Sequence, residues 1–526
     1  MTATPLPAGS LRATSLNAGR RAAELEALAG GLVVDVLVIG GGVTGAGVAL
    51  DAASRGLSVA LVEAHDLAFG TSRWSSKLVH GGLRYLARGD VALAHESAVE
   101  RGLLMTRTAP HLVRALPQLI PLHAKTRAGQ GISRSSEAFL FAGLHAGDAL
   151  RRAARTPTAV LPGPRRVPIA ETLALAPGLR RAGLRGGLLS FDGQLIDDAR
   201  LVVTLARTAA GFGARILTKV RALKVGGDGA EVRDELTGAS FDIRAKSVIN
   251  AAGVWAGQVV DGVQLRPSRG SHLVLSGADL GITQTALTVP VPGERNRYVL
   301  VLPQAGGRVY LGLTDEPVDL PVPDVPEVPE SDVDFLLGVA SSVLERRIGR
   351  EQVIGSYAGL RPLLDSANGK TADISRKHAV MHSREGVITI VGGKLTTYRR
   401  MAADAVDALV RRRDLHCGES RTDRVPLVGS AQQSYLSIVD APRSLVARYG
   451  AEAPRVSALS EFDAELSEEV AEGVTAAEVV WAVRHEGALD AADVLDRRTR
   501  VGLVPAERAK AAARVESLVR QALEGV

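Results

Sequence analysis

An α/β fold built on a parallel, nucleotide-binding sheet is predicted for this chain by three observations. The first is an apolar, largely β-branched run over residues 34–39, broken only by Asp35. That is the pattern of a strand buried on both faces of a parallel sheet. The second is Gly40, Gly42 and Gly45 immediately after it, at GxGxxG spacing. The third is the continuation in register: a helical segment over residues 46–55, a glycine stop at Gly56, and a second apolar strand over 58–62 that ends in Glu63.

Each part of this unit has a physical task. Gly40 permits the tight turn, Gly42 lets backbone approach a pyrophosphate, and Gly45 allows the helix to pack closely on the strand. The amides at the helix start face the diphosphate. Glu63 stands 18 residues past Gly45, where an acid binds the ribose diol. Its carboxylate would oppose a 2′-phosphate, which disfavours NADP and leaves NAD and FAD. The fingerprint starts close to the N-terminus and is not repeated downstream, and both features favour FAD.

The bulk properties fit such a protein. At 526 residues the chain exceeds one compact core, so two or three domains are expected. Hydrophobic residues make up 46% and charged residues 23%, values of a globular protein. A net charge of +6, with no basic patch interleaved with aromatics, argues against nucleic acid as a partner. The single cysteine, Cys417, excludes an internal disulfide, and no metal site is expected. Residues 1–30 lack the apolar core of a secretory signal and read as a loosely ordered extension with a short helix. Residues 30–50 are apolar, but Asp35 and the glycines argue against a membrane span.

The next stretch, SRWSSKLVHGGLRYL (72–86), packs serines, cations and a glycine pair closely behind an apolar strand. Thr71, Ser72, Ser75 and Ser76 offer hydroxyls, and Lys77 a charge, to a diphosphate or flavin edge. Gly81 and Gly82 permit close backbone approach beneath a ring system. Further along, VINAAGVWAG (248–257) ends a buried strand on Ala251, Ala252 and Gly253, small enough to let a dinucleotide pass. In VGGKLTTYR (391–399) the pair Gly392 and Gly393 opens a strand-to-helix turn carrying Lys394, Leu395 and Thr396. Amides and a cation at such a turn suit a site where negative charge develops.

These motifs, together with FDGQLIDDARL (191–201), SRGSHLVL (268–275), LGLTDEP (311–317), GLRPLL (359–364), ISRKHAV (374–380) and AVRHEGALDAADVLDRRTRVGL (482–503), occur in the order found in one family. The chain resembles the FAD-dependent, respiratory glycerol-3-phosphate dehydrogenases over almost its whole length. The resemblance implies an FAD-binding Rossmann-like domain of the glutathione-reductase and amino-acid-oxidase type, an antiparallel-sheet substrate domain and an α-helical C-terminal domain. The expected boundaries are an N-terminal extension over 1–30, a discontinuous FAD domain over 31–115, 190–265 and 350–412, a capping domain over 116–189 and 266–349, and the helical domain over 420–526.

The activity so implied is oxidation of sn-glycerol 3-phosphate to dihydroxyacetone phosphate, with hydride transfer to FAD and electrons passed to a membrane quinone. An oxidase returning electrons to oxygen, an amino-acid oxidase relative and a non-catalytic flavin-binding scaffold are the alternatives. The family pattern brings Arg84, Tyr85, Arg361 and Arg376 to the substrate phosphate, and His272, Arg361 and Lys394 to the reacting hydroxyl. His272 is the first candidate for general base. Read alone, Arg376 beside Lys377 and His378 is a solvated charge run, and His272 in an alternating strand is a core histidine. The resemblance also implies a cytoplasmic protein, peripheral on the membrane, and allows a homodimer. One face of the last helix (Val515, Leu518, Val519, Ala522, Leu523) is expected either to lie on that membrane or to pack on its own domain.

Overall fold

The computed structural model describes residues 11–86, 89–124, 131–294, 297–364, 377–413 and 415–525, except for the side chains of residues 83 and 84. Two sheets organise the chain. In the first, Ser240–Asn250, Val33–Ile39, Val59–Glu63 and Arg215–Thr218 run parallel in that order. Ile388–Gly392 adds to Ser240–Asn250 in parallel, and His378–His382 closes that edge antiparallel. The apolar runs read from the sequence are therefore the central strands.

Helices Val43–Ser54, Asp198–Gly211 and Tyr398–Arg413 cover one face of this sheet, enclosing a core that includes Val36, Val38, Leu61 and Leu205. The other face is closed by the hairpin Val220–Gly226 and Gly229–Asp234, and by helix Ala18–Ala29, whose Leu28 is buried. A short helix was expected in this N-terminal segment. Arg21 pairs with Asp234, and the Leu16 amide donates to the His485 carbonyl, so the described part of the segment is docked on both the sheet and the C-terminal region.

Among the described residues the second sheet has ten strands, nearly all antiparallel, centred on Ser268–Ser276, Arg308–Gly312, Tyr298–Pro303, Ala286–Pro290, Val113–His123 and Leu184–Leu195. Helix Glu330–Ser341 packs on it through Leu336, Leu337 and Ala340. This sheet takes more of the chain than the expected boundaries allowed. Gly355–Arg361 pairs with Ser268–Ser276, and Leu78–Val79 with Leu184–Leu195, so both belong to the second sheet. Among the described residues the chain re-enters the first sheet at His378.

The C-terminal region is mainly helical, with Ala476–Glu486 and Pro505–Glu524 at its centre. Val515, Leu518, Val519 and Ala522 of the last helix are buried against Val479, Val480 and Val483. The apolar stripe therefore packs on its own domain and is not presented to a membrane. No helix among the described residues is long and apolar enough to cross one.

Candidate active site

A large cavity, about 1720 Å³, runs from the glycine turn of the first sheet to the inner face of the second. Sites for one small molecule usually occupy roughly 300–1,000 Å³, so this one has room for a dinucleotide and a second, smaller molecule. Its first half is the predicted turn. Gly40 has φ +109°, and a β-carbon there would lie 2.6 Å from the Ala251 carbonyl oxygen. At Gly45 a β-carbon would run into the Gly40 carbonyl, so this glycine serves helix packing and does not line the cavity. Glu63 accepts from the Gly41 amide at 2.6 Å and the His65 amide at 2.9 Å. Burial raises its pKa against the lowering effect of those two amides.

Ser72 accepts from the Val43 amide at 2.8 Å and so ties the loop over residues 64–77 to the start of the dinucleotide helix. Thr71 donates to the Leu360 carbonyl at 2.6 Å, joining the same loop to the second sheet. Thr71, Ser72, Ser75 and Ser76 all line the cavity, as do Gly82, Ala252 and Gly253.

Two expected cofactor residues are placed elsewhere. Lys77 is buried, in a left-handed backbone conformation (φ +57°), with Nζ 2.9 Å from Asp198 and 2.8 Å from the Arg73 carbonyl. It fastens the loop to helix Asp198–Gly211 and does not present its charge to the cavity. Burial and the nearby Arg500 lower its pKa to about 8. Burial works the other way on Asp198, but Lys77 and Arg500 hold its carboxyl below the usual range, so the pair is ionised at neutral pH. Gly81 also lies outside the lining: a β-carbon there would overlap the Arg101 guanidinium, which bonds Asp192 at 2.6 Å.

At the far end, His272, Arg361, Tyr85, Lys394, Gly393, Leu395 and Thr396 line the cavity together. Arg361 projects across Gly270, where any side chain would displace it, and donates to Ser268 at 3.2 Å and to the Thr314 carbonyl at 3.2 Å. The Lys394 ammonium bonds Ser97 and sits 4.2 Å over the Tyr85 ring. His272 is 1% exposed; its Nε2 is 2.8 Å from Ser76 Oγ and its ring stacks on Tyr357 at 4.6 Å. Burial, then Lys77 and Arg361, push its pKa down to about 3, so the ring is neutral at physiological pH. The side chain of Arg84 and all of Arg376 lie outside the described residues.

Several contributors were not foreseen. Arg266 and Arg297 add cations to the lining. Asp192 holds Arg101 and His80, and although burial opposes it, these two partners keep its carboxyl at about 2. Helix Arg134–Ala153 brings Phe139, Leu140, Ala142, Gly143 and Ala146 to the cavity rim, with Phe139 67% exposed. The Asp–Asp pair of DDARL was legible as a helix cap, which Asp197 is. Nothing in spacing alone announced that Asp198 anchors the loop.

The residues fit an FAD: the glycine turn leaves a cradle that β-carbons would fill, a half-buried acid stands at the ribose position, and hydroxyls line the path between the two sheets. Comparison with known proteins agrees. The family described as FAD dependent oxidoreductase matches residues 35–399, and the C-terminal domain of alpha-glycerophosphate oxidase matches residues 420–524. Glycerol-3-phosphate dehydrogenase 1 of Mycobacterium tuberculosis is 54% identical over 95% of this chain and 97% of its own length. The mitochondrial glycerol-3-phosphate dehydrogenase of Arabidopsis thaliana is 33% identical over 90% of this chain and 80% of its own. The X-ray structure of the glycerol-3-phosphate dehydrogenase from Bacillus halodurans, complexed with FAD, superposes with a TM-score of 0.70 at 25% identity, covering 97% of this chain and 98% of that one.

Proposed function

The chain belongs to the FAD dependent oxidoreductase family, and within it to the glycerol-3-phosphate dehydrogenases; from that premise we propose that it oxidises sn-glycerol 3-phosphate to dihydroxyacetone phosphate and passes the electrons to a membrane quinone. The observation that carries the reading is one continuous cavity joining the dinucleotide turn to an end lined by Arg361, Lys394 and a neutral His272. FAD, when bound, supplies the acceptor for the C2 hydride.

The chain's own groups do the rest. Gly40, Gly42, Glu63, Ser72 and Gly253, which line the first half of the cavity, would hold the cofactor. Arg84, Tyr85 and Arg376, the residues the family pattern assigns to the phosphate, bind it together with Arg266 and Arg297 of the lining, and that remote grip orients C2. Guanidinium forks suit this because they match phosphate oxygens in pairs. Arg361 and Lys394 stabilise the developing alkoxide, and neutral His272 takes the hydroxyl proton.

The quinone assignment is supported by the apolar rim on helix Arg134–Ala153, whose exposed Phe139 continues the cavity lining outward. A membrane-soluble acceptor would meet such a rim more readily than an aqueous one. Location on the cytoplasmic membrane surface belongs to the same proposal. The test supplies FAD-loaded protein with sn-glycerol 3-phosphate and either a short-chain quinone or oxygen. Dihydroxyacetone phosphate formation driven by the quinone, with little peroxide in oxygen and no turnover of glycerol, is expected. Peroxide produced one for one with product would make it an oxidase, and turnover of amino acids alone would overturn the substrate class.

A further inference from the structure

The imidazole of His272 is almost sealed. Its Nδ1 is enclosed by protein, its Cδ2 edge faces Gly312, where any side chain would collide with the ring, and one face is covered by Tyr357. The remaining nitrogen, Nε2, is occupied by the Ser76 hydroxyl at 2.8 Å. Ser76 itself opens to the cavity. A molecule in the cavity therefore meets the Ser76 oxygen on its way to a ring nitrogen.

The hydroxyl is also held unusually firmly for a loop residue. Ser75 binds Asp198 through both its amide (2.9 Å) and its hydroxyl (2.7 Å), and Lys77 binds the same carboxylate from the left-handed conformation. The Tyr357 hydroxyl donates to the Ser75 carbonyl at 3.0 Å while its ring stacks on His272. Ser76 thus stands between two residues pinned to one buried acid, and the ring that positions its partner is bonded to the same turn. Strained backbone of this kind persists where surrounding contacts over-determine it.

Building on the proposed oxidation of glycerol 3-phosphate, we propose that Ser76 is the catalytic proton relay between the substrate and His272. The C2–H bond breaks with its electron pair passing to the bound flavin. The substrate O–H bond breaks and its proton passes to Ser76 Oγ, while the Ser76 proton passes to His272 Nε2. The products are the C2 carbonyl, an intact serine hydroxyl and an imidazolium. The groups facing that imidazolium are Lys77 and Arg361, which repel it, Asp198 and the Gly270 carbonyl, which favour it, and the stacked Tyr357.

The test compares Ser76→Ala, Ser76→Thr and wild type. FAD dissociation constants and visible spectra show whether the cofactor is retained, and ¹⁵N NMR of the histidines in the oxidised protein reads the Nε2 hydrogen bond without turnover. Anaerobic stopped-flow gives the limiting rate of flavin reduction against pH. The relay predicts that Ser76→Ala keeps FAD, shifts the His272 Nε2 resonance and slows flavin reduction about 10²-fold, within the range general acid–base groups supply. Substrate affinity should stay nearly unchanged, and Ser76→Thr should recover to within about tenfold of wild type on the same scale. Ser76→Ala reducing at the wild-type rate with the wild-type pH profile would overturn the relay while leaving the proposed reaction standing. Loss of FAD from Ser76→Ala would also overturn it, making Ser76 a cofactor ligand. A wild-type flavin that glycerol 3-phosphate does not reduce would instead remove the proposed reaction itself.

Discussion

Single residues decide whether the cavity exists at all, and Gly45 is the clearest case. Its missing side chain lets the dinucleotide helix rest on the Gly40 carbonyl, so Gly45→Ala must push helix and turn apart. Overpacking of this sort costs about 1–3 kcal/mol, and the variant should purify with much less FAD, read from its absorbance ratio. Gly45 and Glu63 were legible in the sequence because a tight turn and a ribose acid have fixed spacing along the chain. Lys77 was not. Its neighbours in sequence are hydroxyls facing the cavity, and only the left-handed backbone turns its ammonium away toward Asp198, 121 residues downstream. Such a contact between distant positions leaves no local pattern to read.

At the scale of elements, the loop over residues 64–77 is the junction of the molecule. It touches the dinucleotide helix through Ser72, the second sheet through Thr71 and helix Asp198–Gly211 through Ser75 and Lys77. Replacing Lys77 by Met strands the buried Asp198 carboxylate, and breaking a buried pair from one side costs about 3–5 kcal/mol. The double variant Lys77→Met/Asp198→Asn should lose less than the sum of the single losses, and chemical denaturation of the four proteins measures that coupling. The first two strands of the first sheet, read as 34–39 and 58–62, were foreseen nearly to the residue because burial on both faces writes a continuous apolar run. Membership of the second sheet was harder: Gly355–Arg361 joins Ser268–Ser276 by antiparallel pairing, and a strand does not carry the identity of its partner.

Over the whole molecule, the C-terminal domain braces the cofactor loop without lining the cavity. Arg497 and Arg498 both bond the buried Asp66, Arg500 donates to the Arg73 carbonyl at 2.7 Å, and Arg200 pairs with Glu486. Burial opposes ionisation of Asp66, yet the two arginines hold its carboxyl well below the usual range. Arg498→Ala should therefore speed hydrogen exchange across residues 64–77 and weaken FAD binding at least about tenfold, which is about 1.4 kcal/mol. The DRRTR segment was visible in the sequence, but its target 431 residues away was not.

Acid stability follows from two buried histidines in the same structure. Burial, then Arg200, lowers His111 to about 3, and burial, then Lys77 and Arg361, lowers His272 to about 3. Both lie below the ordinary value of 6.5, so the unfolded chain takes up these protons first. Their contribution is complete above that ordinary value and is lost as pH falls toward the folded values, at up to about 1.4 kcal/mol per pH unit for each. Denaturation at fixed FAD concentration should show this slope, and His111→Gln should make it shallower. The central claim, that one cavity sets a phosphorylated polyol's C2 against a bound flavin, meets its most direct test in anaerobic single turnover with sn-glycerol 3-phosphate carrying deuterium at C2. The account predicts complete bleaching of the flavin by one equivalent of substrate, slowed by the deuterium. A flavin that keeps its oxidised spectrum under saturating substrate would contradict it.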